Sequence, residues 1–153
     1  MPIHKTDSLQ NDVYMVLCQT QTFTEDGDTT YTGTVNLPAN SHILDIQVQS
    51  TALWDDGTSA SMVVGDAADA DGFYTAIDLK ATDLLVAEVI RFESTGGTEG
   101  AYIVTATGEL NNYSAAARNV IGVVTTGGQD GTAGRTRMLV KYAIPVADAA
   151  TGV

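Results

Sequence analysis

His42-Ile43-Leu44-Asp45-Ile46-Gln47-Val48-Gln49-Ser50-Thr51-Ala52-Leu53 is the stretch that decides the fold class. Leu44, Ile46 and Val48 alternate with Asp45, Gln47 and Gln49. That is the two-residue period of a strand burying one face. Residues 134–145 repeat the pattern, with Met138, Val140, Tyr142 and Ile144 alternating with Arg137, Leu139, Lys141 and Ala143. One apolar and one mostly polar face is what an antiparallel sheet with a solvated side requires.

Outward from these two stretches the chain is punctuated at regular intervals. Asp26-Gly27, Asp56-Gly57, Asp71-Gly72 and Asp130-Gly131 are turn pairs, and Gly96-Gly97 and Gly127-Gly128 add two further breaks. Glycine supplies the positive φ and aspartate caps its own turn. Between the breaks lie short segments rich in Val, Ile, Thr and Tyr, which read as strands over residues 12–24, 31–37, 61–64, 73–79, 86–93, 101–107 and 120–125. Together with the first two stretches they make about nine strands, close to a jelly roll with one accessory strand. Residues 82–90 and 113–119 also fit short helices, but such lengths do not stand alone. The expected fold is therefore an all-β, single-domain β-sandwich, jelly-roll-like, with an extended N-terminal arm. Residues 1–11 form the arm, 12–146 the sandwich and 147–153 a small, featureless tail.

The chain has 153 residues, 44% hydrophobic and 17% charged. That suits one globular domain with a surface of Thr, Ser, Asn, Gln and Gly. Seven basic residues face 19 acidic ones, a net charge of −12. This sign excludes phosphate neutralisation as a whole-protein function and disfavours an anionic membrane, so neither nucleic acid nor membrane is an expected partner. Cys18 is the single cysteine, so no intrachain disulfide forms. It sits in the run Val13-Tyr14-Met15-Val16-Leu17-Cys18, which reads as a buried strand with Cys18 as a small apolar residue. Met1-Pro2-Ile3-His4-Lys5-Thr6-Asp7 shows no apolar stretch behind a basic region, so no signal peptide is expected. No window resembles a membrane-spanning helix.

Four features are candidates for chemistry or contact. Asp66-Ala67-Ala68-Asp69-Ala70-Asp71-Gly72 faintly resembles the start of a calcium loop. It lacks the twelve-residue spacing and the closing Glu, so it reads as a solvated turn. Trp54, the single Trp, stands before Asp55-Asp56-Gly57. It either closes one end of the core or offers its ring to a sugar or a protein partner, and the first reading is favoured. Arg135, Arg137 and Lys141 fall on one face of one strand and are three of the seven basic residues. They either pair with acidic neighbours across the sheet or meet an acidic partner surface. Ile3 and His4 lie in the arm. The interface candidates are thus Ile3, His4, Trp54, Arg135, Arg137 and Lys141. Neither His4 nor His42 belongs to a zinc or hydrolase motif, and no nucleophile elbow or phosphate loop is present. No catalytic residue, metal or cofactor is expected.

The central stretch carries a resemblance. Val35-Asn36-Leu37-Pro38-Ala39-Asn40-Ser41 leads into the alternating strand, which runs to Trp54-Asp55-Asp56-Gly57, and Val63-Val64-Gly65-Asp66 follows. A Leu-Pro-Ala turn, a strand ending at Asp-Gly and a Val-Gly-Asp strand end resemble small structural proteins of tailed bacteriophages. The similarity spans residues 35–79. Within that class, size and β content are similar to jelly-roll decoration (cement) proteins. The resemblance implies a non-enzymatic virion component, made in the host cytoplasm and bound to the outer capsid surface. It implies the major capsid protein as partner and a homo-oligomer, trimer ahead of dimer. Two other readings stay open: a receptor- or glycan-binding head of a fibre or tail, and a neck or tail component.

Overall fold

The computed structural model describes residues 13–80, 83–104 and 112–146. In chain order the elements are β1 (Tyr14–Thr24), β2 (Thr30–Leu37), β3 (Ser41–Ala52), β4 (Ser59–Gly65), β5 (Tyr74–Asp78), β6 (Val89–Ile90), α1 (Ala101–Val104), β7 (Tyr113–Ser114), β8 (Arg118–Gly127) and β9 (Arg135–Pro145). One sheet has the order β1-β9-β3-β6, with β7 also pairing β3, and the other has the order β2-β8-β4-β5. Every pairing is antiparallel. With the two-residue β7 set aside, the first strand pairs with the last, the second with the second-last, and so inward to β4 with β5. This is one long hairpin rolled into two layers, a jelly-roll-like β-sandwich.

The two alternating stretches become β3 and β9, side by side in the middle of their sheet. Ile46 faces Val140, Val48 faces Met138, and Ser50 faces Thr136, all at or near zero exposure. From the other sheet Val35, Met62, Val64, Val120 and Val124 meet them. Each buried apolar side chain stabilises by roughly 1.5–3 kcal/mol.

The register of β3 against β9 shifts twice, between Ile43 and Asp45 and between Ser50 and Ala52, and the first shift breaks the expected alternation. Leu44 was expected to share the inward face with Ile46, yet it is 39% exposed, while Ile43 is buried. Ile43 lies opposite Tyr142 and Asp45 opposite Lys141, so two steps along β3 match one step along β9. A β-bulge inserts the extra residue and reverses the side-chain parity.

Four segments differ from the sequence reading. The strand expected over 86–93 shrinks to Val89–Ile90. Before it, Glu88 N donates to Leu85 O (2.9 Å), and Ala87 takes a positive φ of 69°. That tight turn also replaces the helix considered at 82–90. The expected strand at 101–107 is instead a helical turn, α1, as far as residue 104. Its Tyr102 N donates to Gly72 O (2.8 Å), and the ring packs edge-on against Phe73 at 5.1 Å between centroids. That docking overrides the local strand preference. The helix considered at 113–119 gives way to β7, paired to Ser41 and His42, and to the start of β8. The Pro38–Asn40 connection turns on Asn40, whose φ of 61° lies in the left-handed region that asparagine tolerates.

Candidate interaction surface

The outward face of the five-stranded sheet follows from the register. Val16, Ala143 and His42 form one row, and Cys18, Lys141 and Asp45 the next. Thr20, Leu139 and Gln47 follow, then Thr22, Arg137 and Gln49, then Thr24, Arg135 and Ala52. Arg135, Arg137 and Lys141 are all exposed along this face, as their spacing predicts. Arg137 Nη2 donates to Gln49 Oε1, a neutral neighbour, where an acidic one was considered. The one carboxylate in the rows, Asp45, accepts Gln47 Nε2 (2.8 Å) and Phe92 N (3.1 Å). Among the described residues, none of the three cations has a carboxylate within ion-pair distance; the ion pair there is Arg118–Asp66 at 3.9 Å. In a chain of net charge −12 this face is a positive stripe, while Glu25, Asp26, Asp28, Asp55 and Asp130 sit in or beside turns.

Trp54 is inside. It is 2% exposed, its Nε1 donates to Thr136 Oγ1 (2.9 Å), and Tyr31 packs against it at 5.1 Å. It closes one end of the core and presents no ring face to a sugar or a partner. The neighbouring Asp55 accepts Thr132 N (2.7 Å), Ala133 N (2.8 Å) and Thr132 Oγ1 (2.9 Å). These bonds hold its carboxyl below the ordinary carboxylate value. Ile3, His4 and the arm, and the tail 147–153, lie outside the described residues.

The aspartate loop after β4 is an Asx turn. Asp66 Oδ1 accepts Ala68 N (2.9 Å), Asp69 N (3.0 Å) and Tyr102 OH (3.2 Å), while Oδ2 faces Arg118. Burial first, then the Asp66 charge, pushes the Tyr102 hydroxyl up to about 12. A hydrogen bond shared with Asp71 raises the Asp69 carboxyl. Among the described residues no group of three or more His, Cys, Asp or Glu is arranged to hold a metal ion. Beside the loop is an open cleft of about 620 Å³ lined by Asn36, Asp66, Ser114, Arg118 and Asn119. Ser114 Oγ donates to Ala116 O (2.7 Å), so its hydroxyl proton is held by a carbonyl and not by a base.

One feature escaped the sequence reading. Cys18 is exposed, not buried. Val13, Tyr14, Met15 and Val16 are 64%, 55%, 45% and 52% exposed. The apolar run has the composition of core, but it occupies the edge strand of its sheet. Its lack of charge was the available signal, and only the topology reveals the edge.

No family model matches the sequence, and no curated protein matches it. Two solved structures share the fold. A chain of the cyanophage Pam1 capsid asymmetric unit superposes with a TM-score of 0.53 at 18% identity, covering 95% of this chain and 100% of that one. A chain of the acid-stable capsid of Helicobacter pylori bacteriophage KHP30 superposes with a TM-score of 0.50 at 12% identity, covering 90% of this chain and 98% of that one. At such identities the likeness is one of fold.

Proposed function

We propose that the chain is a virion structural protein, a decoration (cement) protein on the outer surface of a tailed-phage capsid, where it bridges neighbouring copies of the major capsid protein. The observation that carries this reading is the end-to-end fold likeness to chains of two phage capsid structures. The sequence resemblance over residues 35–79 supports it independently. The protein works through contact area and not through catalysis. Binding the assembled lattice in preference to free subunits stabilises that lattice by mass action. Repeated symmetric copies multiply a modest single-site affinity where contacts link them.

Two elements are assigned to the contact. The stripe Arg135, Arg137 and Lys141 meets an acidic surface, which speeds docking and fixes its orientation. The arm, residues 1–11 with Ile3 and His4, lies across a neighbour. The particle-bound form is a homo-oligomer whose order sedimentation decides. The glycan-binding alternative leaned on Trp54 as an exposed ring, and its burial at 2% removes that support.

The test is occupancy on capsid shells of the encoding phage. Wild-type chain binds and remains accessible to antibody on filled heads. Loss of residues 1–11, or reversal of Arg135, Arg137 and Lys141 to Glu, lowers occupancy. Undiminished occupancy in both variants refutes the assigned contacts, and recovery of the chain with tails instead of heads refutes the capsid assignment.

A further inference from the structure

We infer that β1 pairs antiparallel with β1 of a second copy of this chain around a two-fold axis, extending the five-stranded sheet across the dimer. Strand β1 is the edge of its sheet and runs eleven residues against β9 in unbroken register, Tyr14 opposite Pro145 through Thr24 opposite Arg135. Val146 N donates to Val13 O (2.7 Å), and Glu25 N donates to Gly134 O (2.9 Å). Odd-numbered residues of β1 therefore turn their backbone groups to β9. The even-numbered ones, Tyr14 through Thr24, turn theirs to the free edge, where among the described residues no second strand pairs with them.

Natural edge strands are protected by charge, proline, bulges or shortness. Strand β1 has none of these: no Asp, Glu, Lys, Arg or Pro occurs from Val13 to Thr24. Its first residues are exposed on both faces. Tyr14 and Val16 point outward, and Met15, on the inward parity, is still 45% exposed. Strand β2, the edge of the other sheet, is also uncharged from Thr30 to Leu37 and lies alongside, with Gln19 Nε2 donating to Asn36 O (3.1 Å). One whole flank of an acidic sandwich is thus apolar or neutral.

Charge selects both the occupant and the direction. Two copies each carrying −12 meet no like charge along such a flank. The acidic turn Glu25, Asp26 and Asp28 directly follows β1. Antiparallel pairing puts the two acidic turns at opposite ends of the shared ladder, roughly 35 Å apart and well beyond a Debye length. Parallel pairing would stack them. Full overlap centres the axis on Gln19 and sets Cys18 opposite the partner's Thr20, so the two Cys18 thiols are diagonal neighbours on one face.

The experiment is sedimentation of the full chain with and without Thr20→Lys, together with short bis-maleimide cross-linking at Cys18. Thr20 is exposed, so the substitution leaves the core intact, and unchanged circular dichroism and melting temperature verify this. The wild type is expected to be a dimer that cross-links through Cys18. Thr20→Lys is expected to be a monomer at the same concentration, with the cross-link lost, and a Cys18→Ser control does not cross-link. A wild-type monomer, a trimer, or a dimer indifferent to Thr20→Lys overturns the inference. Each of these leaves the capsid reading standing, because shell occupancy is measured separately.

Discussion

Gly33 of β2 and Gly122 of β8 face each other in register, and the ring of Phe23 fills the space their missing side chains leave. A Cβ on Gly122 would lie 2.7 Å from Met62 Cε and 2.9 Å from Phe23 Cζ, and one on Gly33 would lie 2.7 Å from Phe23 Cζ. The pair lets Phe23 of the edge strand β1 pack against the opposite sheet, where it is 3% exposed, while Met15 nearer the start of the strand stays 45% exposed.

Gly122→Ala therefore overpacks the core. Its expected cost is about 1–3 kcal/mol in denaturant unfolding. Phe23→Leu in the same chain should recover part of that loss, because it removes Cζ, one of the atoms the new methyl meets. Additive losses would show that the glycines serve another purpose.

The buried Trp54–Thr136 hydrogen bond makes a second prediction. Thr136 is fully buried and is the acceptor for the indole N–H. Thr136→Val keeps the shape and leaves that donor unsatisfied, at about 1–3 kcal/mol. Tryptophan emission in the wild type should be that of a buried ring and should shift only on global unfolding.

The bulge at Leu44 predicts a contrast between two residues that the sequence pattern treats alike. Leu44→Ser removes an exposed side chain, with an expected change within about 0.5 kcal/mol. Ile46→Ala opens a cavity in the core and should cost about 2–5 kcal/mol. Equal costs would mean that β3 is not bulged.

Alkaline stability follows from three tyrosine hydroxyls. Burial is the first cause that pushes Tyr31 and Tyr102 up to about 12 from 10.0. Buried Tyr74, donating to Ile46 O (2.6 Å), is raised as well. A group whose folded value is raised contributes stability that is present below the unfolded value and lost as pH rises through the folded one. Stability should therefore decline between pH 10 and about 12. Tyr102→Phe should flatten part of that decline in pH-resolved unfolding.

Much of the sandwich was legible because β3 and β9 state their period over many residues, and because Asp-Gly and Gly-Gly pairs mark the turns. The positive stripe was legible too, since Arg135, Arg137 and Lys141 keep even spacing on one strand. What the sequence withheld depends on distant partners. Leu44 leaves the core only because β9 advances one residue while β3 advances two. Residues 101–104 turn helical because Tyr102 docks on Phe73 and Gly72. Val13 to Val16 have the composition of core residues, yet Tyr14 and Val16 fall on the outward face of the sheet and Met15 stays 45% exposed.

The central claim is that this chain binds assembled capsid through surface contact. The direct measurement is co-sedimentation of purified chain with capsid shells of the encoding phage, in parallel with unassembled capsid protein. The account predicts saturable pelleting with shells, little with free subunits, and shells that resist heat better when occupied. A chain that stays in the supernatant, or that binds free subunits as well as shells, would contradict it.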